Sequence, residues 1–190
     1  MLNKQYTSML QEKDVIFEIF QYATERAKVV GAENIYDFSL GNPSVPAPSI
    51  VNETIVQKVN TLDPLALHGY SPSFGIMETR EKIAAFLNKK YGSSYKASNI
   101  FMAIGAAGAL AHAFRAVTNP GDEIITFAPC FSEYKPYTAG AGLKLTIIPA
   151  DIDTFQINFA AFEAQLNENT TAVLINSPNN PSGIVYSTET

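Results

Sequence analysis

The sequence has a single cysteine, Cys130, among its 190 residues, which excludes an intrachain disulfide framework and is typical of a reducing compartment. No stretch approaches the roughly 20 apolar residues of a membrane helix, and the N-terminus lacks the apolar core of a signal peptide. Lys and Arg number only 13 against 18 Asp and Glu, without a basic stripe, so neither nucleic acid nor an anionic membrane is an expected partner. With 46% hydrophobic and 16% charged residues, the sequence predicts a folded cytoplasmic protein.

The patterns of several common active sites are also missing. The two histidines, His68 and His112, have no metal-ligand spacing with each other or with Cys130, so a metal centre is not expected. No Gly-x-Ser-x-Gly turn is present. Hydrolase chemistry therefore has little support.

Apolar residues at helical spacing and proline-rich loops dominate the first third of the chain. Asp14 suits the N-cap of a first helix and Gly31 its end, and a short extended segment, Ile35–Leu40, leads into a loop with three prolines at Gly41–Pro48. A further loop holds His68–Pro72. The helices predicted for the whole chain are Asp14–Val30, Ser49–Asn60, Ile76–Tyr91, Ala106–Val117, Ser132–Ala139 and Phe159–Asn167.

From Asn99 onward, short apolar runs bounded by turn residues alternate with the predicted helices. This alternation favours an α/β fold with a parallel sheet covered by helices on both faces, a three-layer αβα arrangement. The predicted strands are Ile100–Ile104, Glu123–Phe127, Leu143–Ile148 and Thr171–Asn176. The final residues, Ser187–Thr190, have the composition of a helix N-cap, so we expect this chain to be the N-terminal part of a longer protein.

Three turns follow predicted strands, at the edge where open α/β sheets bind ligands. Gly105, Ala106 and Ala107 open a helix whose free N–H groups suit a phosphate, although such small residues also suit close packing of the helix on the sheet. Phe131 follows the second strand, either as a flat apolar lid or as a core residue. Asn180, in the segment INSPNNPSG, follows the fourth strand, either in an Asx-rich turn or as an amide donor to a ligand.

The residues resemble the pyridoxal-phosphate-dependent aminotransferases of fold type I, in the class that contains aspartate and aromatic aminotransferases. Four segments carry the resemblance in chain order: SLGNPSVPAP, GYSPSFGIMETREKIAAFL, GAAGALAHAFRAVTNPGDEIITFAPCFSEY and LINSPNNPSGIVY. It implies that residues 1–48, an N-terminal helix and arm, belong to the small domain. It also implies that residues 49–190 form the first part of the large domain that binds pyridoxal 5'-phosphate.

The resemblance also implies roles for individual residues. The turn at residues 105–107 would hold the cofactor phosphate, Phe131 would stack on the ring, and Asn180 would hydrogen-bond the ring hydroxyl. Tyr70 would reach the phosphate in the neighbouring subunit of a homodimer with shared active sites. Gly41 would meet the carboxylate of the substrate, in a transfer of an amino group between an amino acid and a 2-oxo acid.

Some positions depart from the family pattern. Ala107 lacks the polar side chain that many relatives carry, and Phe131 stands where typical aspartate aminotransferases have tryptophan. No lysine follows Gly183, and Lys135 and Lys144 match no catalytic position, so the Schiff-base lysine is expected downstream and the chain alone should be inactive. A lyase or synthase on the same fold, or a non-catalytic binding or dimerisation module, remain alternatives.

Overall fold

The computed structural model describes residues 4–9, 15–39, 41 and 43–190 of the chain. It divides into two compact units, Met1–Ser73 and Phe74–Thr190. None of the helices in the described part of the chain has the length and apolar content needed to span a bilayer.

The first unit is built from short and medium helices. Two of its predicted helices are confirmed, but Asp14 and Leu40 lie outside the described residues. The loop predicted around His68 is partly wrong, because the Asp63 carboxylate accepts hydrogen bonds from the N–H groups of Leu65 and Ala66 and so caps an additional helix. The elements are α1 Lys4–Met9, α2 Val15–Val30, a 3-10 turn Ala32–Asn34, α3 Ser49–Thr61 and α4 Pro64–His68.

The second unit contains the remaining helices and the whole of the described sheet. Glycine and asparagine set two of the helix boundaries: Gly92, at φ 66°, ends one helix, and the Asn158 side chain caps another through the N–H of Ala161. The helices are α5 Met77–Tyr91, a 3-10 turn Ala97–Asn99, α6 Gly105–Val117, α7 Tyr134–Gly140 and α8 Phe159–Gln165.

The sheet has three parallel strands, β1 Glu123–Phe127, β2 Lys144–Ile148 and β3 Thr170–Val173, in the order β2-β1-β3. The prediction of a strand at Ile100–Ile104 is wrong. Both sides of β1 are taken by β2 and β3, while the Ile100 N–H bonds to the 3-10 turn and its carbonyl accepts from the Arg80 Nε at 2.9 Å. The segment therefore makes no ladder with any described strand, although its residues are apolar.

The two faces of the sheet carry separate apolar clusters. Ile124 packs with Phe114 of α6, and Leu143 and the α7 residue Tyr137 belong to the same cluster on one face. Ile125 and Phe127 pack with residues of α8 on the other face. Because neighbouring strand residues point to opposite faces, this alternation confirms the predicted α/β fold with helices covering both faces of a parallel sheet.

One carboxylate is buried at the amino edge of the sheet. The Glu123 side chain pairs with Lys144 and accepts hydrogen bonds from Thr146 at 2.9 Å, Asn167 at 2.9 Å and Thr170 at 3.2 Å. The Lys144 ammonium holds the pKa of the Glu123 carboxyl below its usual range. The hydrogen bonds from Thr146 and Asn167 act in the same direction, and together these effects exceed the opposing effect of burial. Glu123 thus joins the starts of all three strands.

Candidate functional site

The carboxyl edge of the sheet collects the three turns that the sequence singles out. Phe131 follows β1 and Asn180 follows β3, and these strands are parallel neighbours. Five residues separate the end of α6 from the start of β1, and α6 packs on the sheet, so its N-terminus at Gly105 faces the carboxyl edge. All three turns therefore belong to one edge, which we call the rim: residues 105–107, Phe131 and Asn180.

The N-terminus of α6 offers two free backbone donors. The Gly105 N–H bonds to the Ala103 carbonyl at 3.1 Å and the Gly108 N–H bonds to the Ile104 carbonyl at 3.2 Å. The intervening N–H groups, of Ala106 and Ala107, have no acceptor within the described part of the chain, and no side chain caps this helix. Exposed N–H groups at the positive end of a helix are a favourable site for an anion such as phosphate.

The glycine at this turn is required by backbone conformation. Gly105 adopts φ +64°, in the left-handed region where a side chain is disfavoured, and no atom lies within 4 Å of the position that a Cβ would occupy. Gly105 is therefore required by the left-handed backbone at this position and not by a close contact with a neighbouring atom.

Phe131 is half-buried, with one edge-on aromatic neighbour. Its ring centroid lies 5.8 Å from that of Tyr134, at an interplanar angle of 86°. Burial raises the pKa of the Tyr134 phenol, and negative charge on the ionised forms of Cys130 and Tyr186 raises the pKa further, so this phenol stays neutral at physiological pH. Neither Tyr134 nor Tyr186 is among the site residues predicted from the sequence. The spacing of Tyr134 after Phe131 was an available signal, whereas nothing in the sequence brings Tyr186 to this place.

The turn after β3 presents one of its two adjacent asparagines to solvent. Asn179 is only 8% exposed, and its side chain accepts hydrogen bonds from the N–H and hydroxyl of Ser182. Asn180 is exposed, and its side-chain amide makes no hydrogen bond within the described residues. The peptide bonds before Pro178 and Pro181 are cis. Of the two amides, that of Asn180 is the one available to a ligand.

The other two predicted site residues, Tyr70 and Gly41, belong to the first unit. Tyr70 is fully exposed, and its hydroxyl has no hydrogen-bond partner in the described ranges. A Cβ at Gly41 would meet no atom within 4 Å, so this unit does not itself require a glycine there. Their roles at a substrate or partner site stay predictions. Among the described residues, no group of three His, Cys, Asp or Glu side chains could hold a metal ion.

Comparison with known proteins identifies the family of this chain. Residues 32–190 match the family model described as aminotransferase class I and II. The chain belongs to the class I and II aminotransferase family. This confirms the resemblance seen in the sequence, and with it the α/β fold of fold type I aminotransferases.

Individual aminotransferases show how far the similarity extends. An aminotransferase from Eubacterium rectale has a TM-score of 0.93 and 49% identity over the whole chain and 48% of its own. The aspartate aminotransferase of Thermotoga maritima is 33% identical over 88% of this chain and 44% of its own length. Escherichia coli YbdL, with a methionine aminotransferase function, has a TM-score of 0.76 and 29% identity over 89% of this chain and 43% of its own. The chain thus spans about half the length of these aminotransferases.

Members of this aminotransferase family use pyridoxal phosphate, and the rim can be tested against that group. A phosphate needs donors, and the two free N–H groups of α6 supply them. A flat ring needs an apolar face, which Phe131 has. A ring hydroxyl needs a polar partner, which the free amide of Asn180 can provide. The residues present fit the cofactor.

Proposed function

We propose that the rim binds pyridoxal 5'-phosphate in an aminotransferase that moves an amino group between an amino acid and a 2-oxo acid. The observation that carries the proposal is the pair of free N–H groups of Ala106 and Ala107 at the uncapped N-terminus of α6. The carboxyl edge of the same sheet also carries an aromatic ring and a free amide. An anion site, an apolar lid and a hydrogen-bonding amide together match one phosphorylated pyridine better than any simpler ligand.

Each rim residue has one binding task in this proposal. The N–H groups of Ala106 and Ala107 bind the phosphate, and the positive end of α6 adds to the attraction. Phe131 covers one face of the ring and excludes water from it. The Asn180 amide donates a hydrogen bond to the ring hydroxyl. The bound cofactor supplies an electron-withdrawing ring that stabilises negative charge on the α-carbon of the substrate.

We extend the proposal to the assembly. Tyr70, fully exposed in its own unit, would contact the phosphate in a second subunit of a cytoplasmic homodimer with shared active sites. Gly41 would meet the substrate carboxylate, residues 1–48 would belong to a small domain, and residues 49–190 to a large one. Similar aminotransferases are named for aspartate in one case and methionine in another, so the proposal names the amino acid and 2-oxo acid classes and no single compound.

Ligand binding to the purified 190-residue chain tests the cofactor site. Pyridoxamine 5'-phosphate should bind at least tenfold more tightly than pyridoxamine, because only the former engages the α6 donors. Phe131→Ala and Asn180→Ala should each weaken binding of the phosphorylated compound. Equal affinity for the two compounds, or binding insensitive to both substitutions, would place the ligand elsewhere and contradict the proposal.

Product analysis tests the reaction in a protein that carries the complete aminotransferase sequence. Incubation with an amino acid and a 2-oxo acid should convert the amino acid to its own 2-oxo acid and aminate the other substrate in equal amounts. Release of free ammonia or of elimination products instead would assign the protein to a lyase on the same fold.

A further inference from the structure

We infer that Asn176 is a positioning residue that holds the Asn180 side chain at the cofactor site. The inference rests on the proposed function, because it concerns how the chain presents the amide that would meet the ring hydroxyl. Asn176 is half-buried and lies three residues beyond the end of β3. Its Oδ1 accepts a hydrogen bond from the Asn180 main-chain N–H at 2.7 Å.

The bonding of the turn shows why this contact matters. Between Asn179 and Gly183 only four residues have an N–H, because Pro181 has none. Three of the four N–H groups bond within the turn itself, to the carbonyl of Ile184 or to the carbonyl and side chain of Asn179, at 2.8 to 3.2 Å. The fourth, that of Asn180, is the donor that connects the turn to Asn176 in the segment that follows β3.

A second hydrogen bond joins the two ends of the segment from Ser177 to Tyr186. The orientation of Asn180 within this segment therefore depends on its contact with Asn176. The Tyr186 N–H donates to the Ser177 hydroxyl at 3.1 Å, so the chain beyond the turn is held beside the chain that enters it. One hydrogen bond, to Asn176, holds the main-chain N–H of Asn180, and the Asn180 side chain makes no hydrogen bond within the described residues. A shift of the main chain at Asn180 would therefore move the amide, because no hydrogen bond of the described residues holds this side chain in place.

The chemistry of the contact allows a rescue design. Asn176 acts through its Oδ1 acceptor, and its Nδ2 makes no hydrogen bond to the rest of the described chain. Asn176→Asp keeps an acceptor in the same place, Asn176→Ala removes it, and Asn176→Gln displaces it by one methylene. Asn158→Ala is a matched control, because it removes an equivalent side-chain acceptor for a main-chain N–H, at the start of α8, with a bond of 3.0 Å.

The experiment measures discrimination between two ligands by the 190-residue chain: pyridoxamine 5'-phosphate and its 3-deoxy analogue, which lacks the ring hydroxyl. Because the hydroxyl adds one hydrogen bond, the wild type should bind the hydroxylated compound about threefold to tenfold more tightly than the 3-deoxy analogue. Asn176→Ala and Asn176→Gln should bring this ratio close to one, Asn176→Asp should keep it within about twofold, and Asn158→Ala should leave it unchanged. Adding Asn176→Ala to Asn180→Ala should change the ratio no further.

A second readout follows the contact without any ligand. Hydrogen exchange of the Asn180 main-chain amide should be slow in the wild type and in Asn176→Asp, and fast in Asn176→Ala and Asn176→Gln. If Asn176→Ala leaves the ratio of the two affinities unchanged, or weakens the binding of both ligands equally, the inference is overturned while the proposed function stands. A wild type that binds neither ligand overturns the proposed function and the inference with it.

Discussion

The two edges of the sheet differ in how they treat polar groups. At the amino edge the Glu123 carboxylate is buried, and every oxygen has partners from neighbouring strands and loops. At the carboxyl edge the N–H groups of Ala106 and Ala107 and the amide of Asn180 are exposed and unbonded within the described chain. A buried polar group stabilises only when it is bonded, whereas an exposed free donor adds little to stability and is available to a ligand. The bonded carboxylate at the amino edge thus stabilises the fold, whereas the carboxyl edge leaves its donors free for the proposed ligand.

The largest effect should come from deleting the amino-edge carboxylate. Glu123→Ala removes a buried carboxylate together with its hydrogen bonds to Thr146, Asn167 and Thr170, and should lower the free energy of unfolding by about 2 to 3 kcal/mol. Glu123→Gln preserves the shape and weakens the bonds, so about 1 to 2 kcal/mol is expected. Urea unfolding measures both. Glu163→Ala, on the exposed side of α8, is the control, and equal unfolding energies for the two alanine variants would refute the role of Glu123.

Lowering the pH should gradually remove the contribution of the Glu123 carboxylate to the free energy of unfolding. The pKa of Glu123 is lower in the folded chain than its ordinary value of about 4.3. Its ionised form therefore stabilises the fold above the unfolded pKa, and this stabilisation is lost as the pH falls through the lower, folded pKa. The difference in unfolding free energy between wild type and Glu123→Gln should be constant from pH 6 to 8 and shrink below about pH 4.3.

The difference between wild type and Glu123→Gln also excludes the contribution of other carboxylates to the pH dependence of stability. The pKa values of Asp37 and Asp151 are lowered by hydrogen bonds from Ser39 and Thr154, but both residues are present in wild type and variant. Their effects should cancel in the difference. A difference that stays constant down to pH 3 would show that Glu123 is not the titrating group.

Two glycines at the start of α6 should respond in opposite directions to the same substitution. Gly105→Ala must place a Cβ at φ +64° and should cost about 1 kcal/mol of stability. Gly108→Ala lies inside the helix, where the new Cβ would meet Ile104 and Ala103 at ordinary contact distances of 3.6 and 4.0 Å, and should add about 0.5 to 1 kcal/mol. Thermal unfolding of the two variants measures both effects, and a Gly105→Ala variant as stable as wild type or more so would show that the turn is not conformationally constrained.

Local patterns predicted the central part of the fold, because they report on contacts within a few residues. The run Glu123–Phe127 after a turn predicted β1 with its correct bounds. The run Ile100–Ile104 has the same apolar character, but a strand also needs a neighbour, and the pattern carries no information about that. Helix α4 was missed although Asp63 and the proline after it are a recognised start signal.

The candidate site was predicted only in part for a related reason. Spacing and resemblance pointed to Phe131 and Asn180, and the structure places both beyond the same edge of the sheet. The difference between Asn179 and Asn180 could not be predicted from two identical adjacent residues. It depends on which amide meets Ser182 and which main chain meets Asn176, and these are properties of the folded turn.

The smallest effect on stability should accompany a clear effect on binding, at Ala107. Its side chain is exposed, so Ala107→Ser should change the free energy of unfolding by less than about 0.5 kcal/mol. The new hydroxyl stands beside the free N–H groups of α6 and can donate one more hydrogen bond to a phosphate, so pyridoxamine 5'-phosphate should bind about threefold more tightly. Ala109→Ser, also exposed and two residues further along α6, is the matched control and should leave the affinity unchanged. If both serine variants bound pyridoxamine 5'-phosphate more tightly by the same factor, the effect of the hydroxyl would not depend on its position. That result would contradict the proposal that the rim is the binding site.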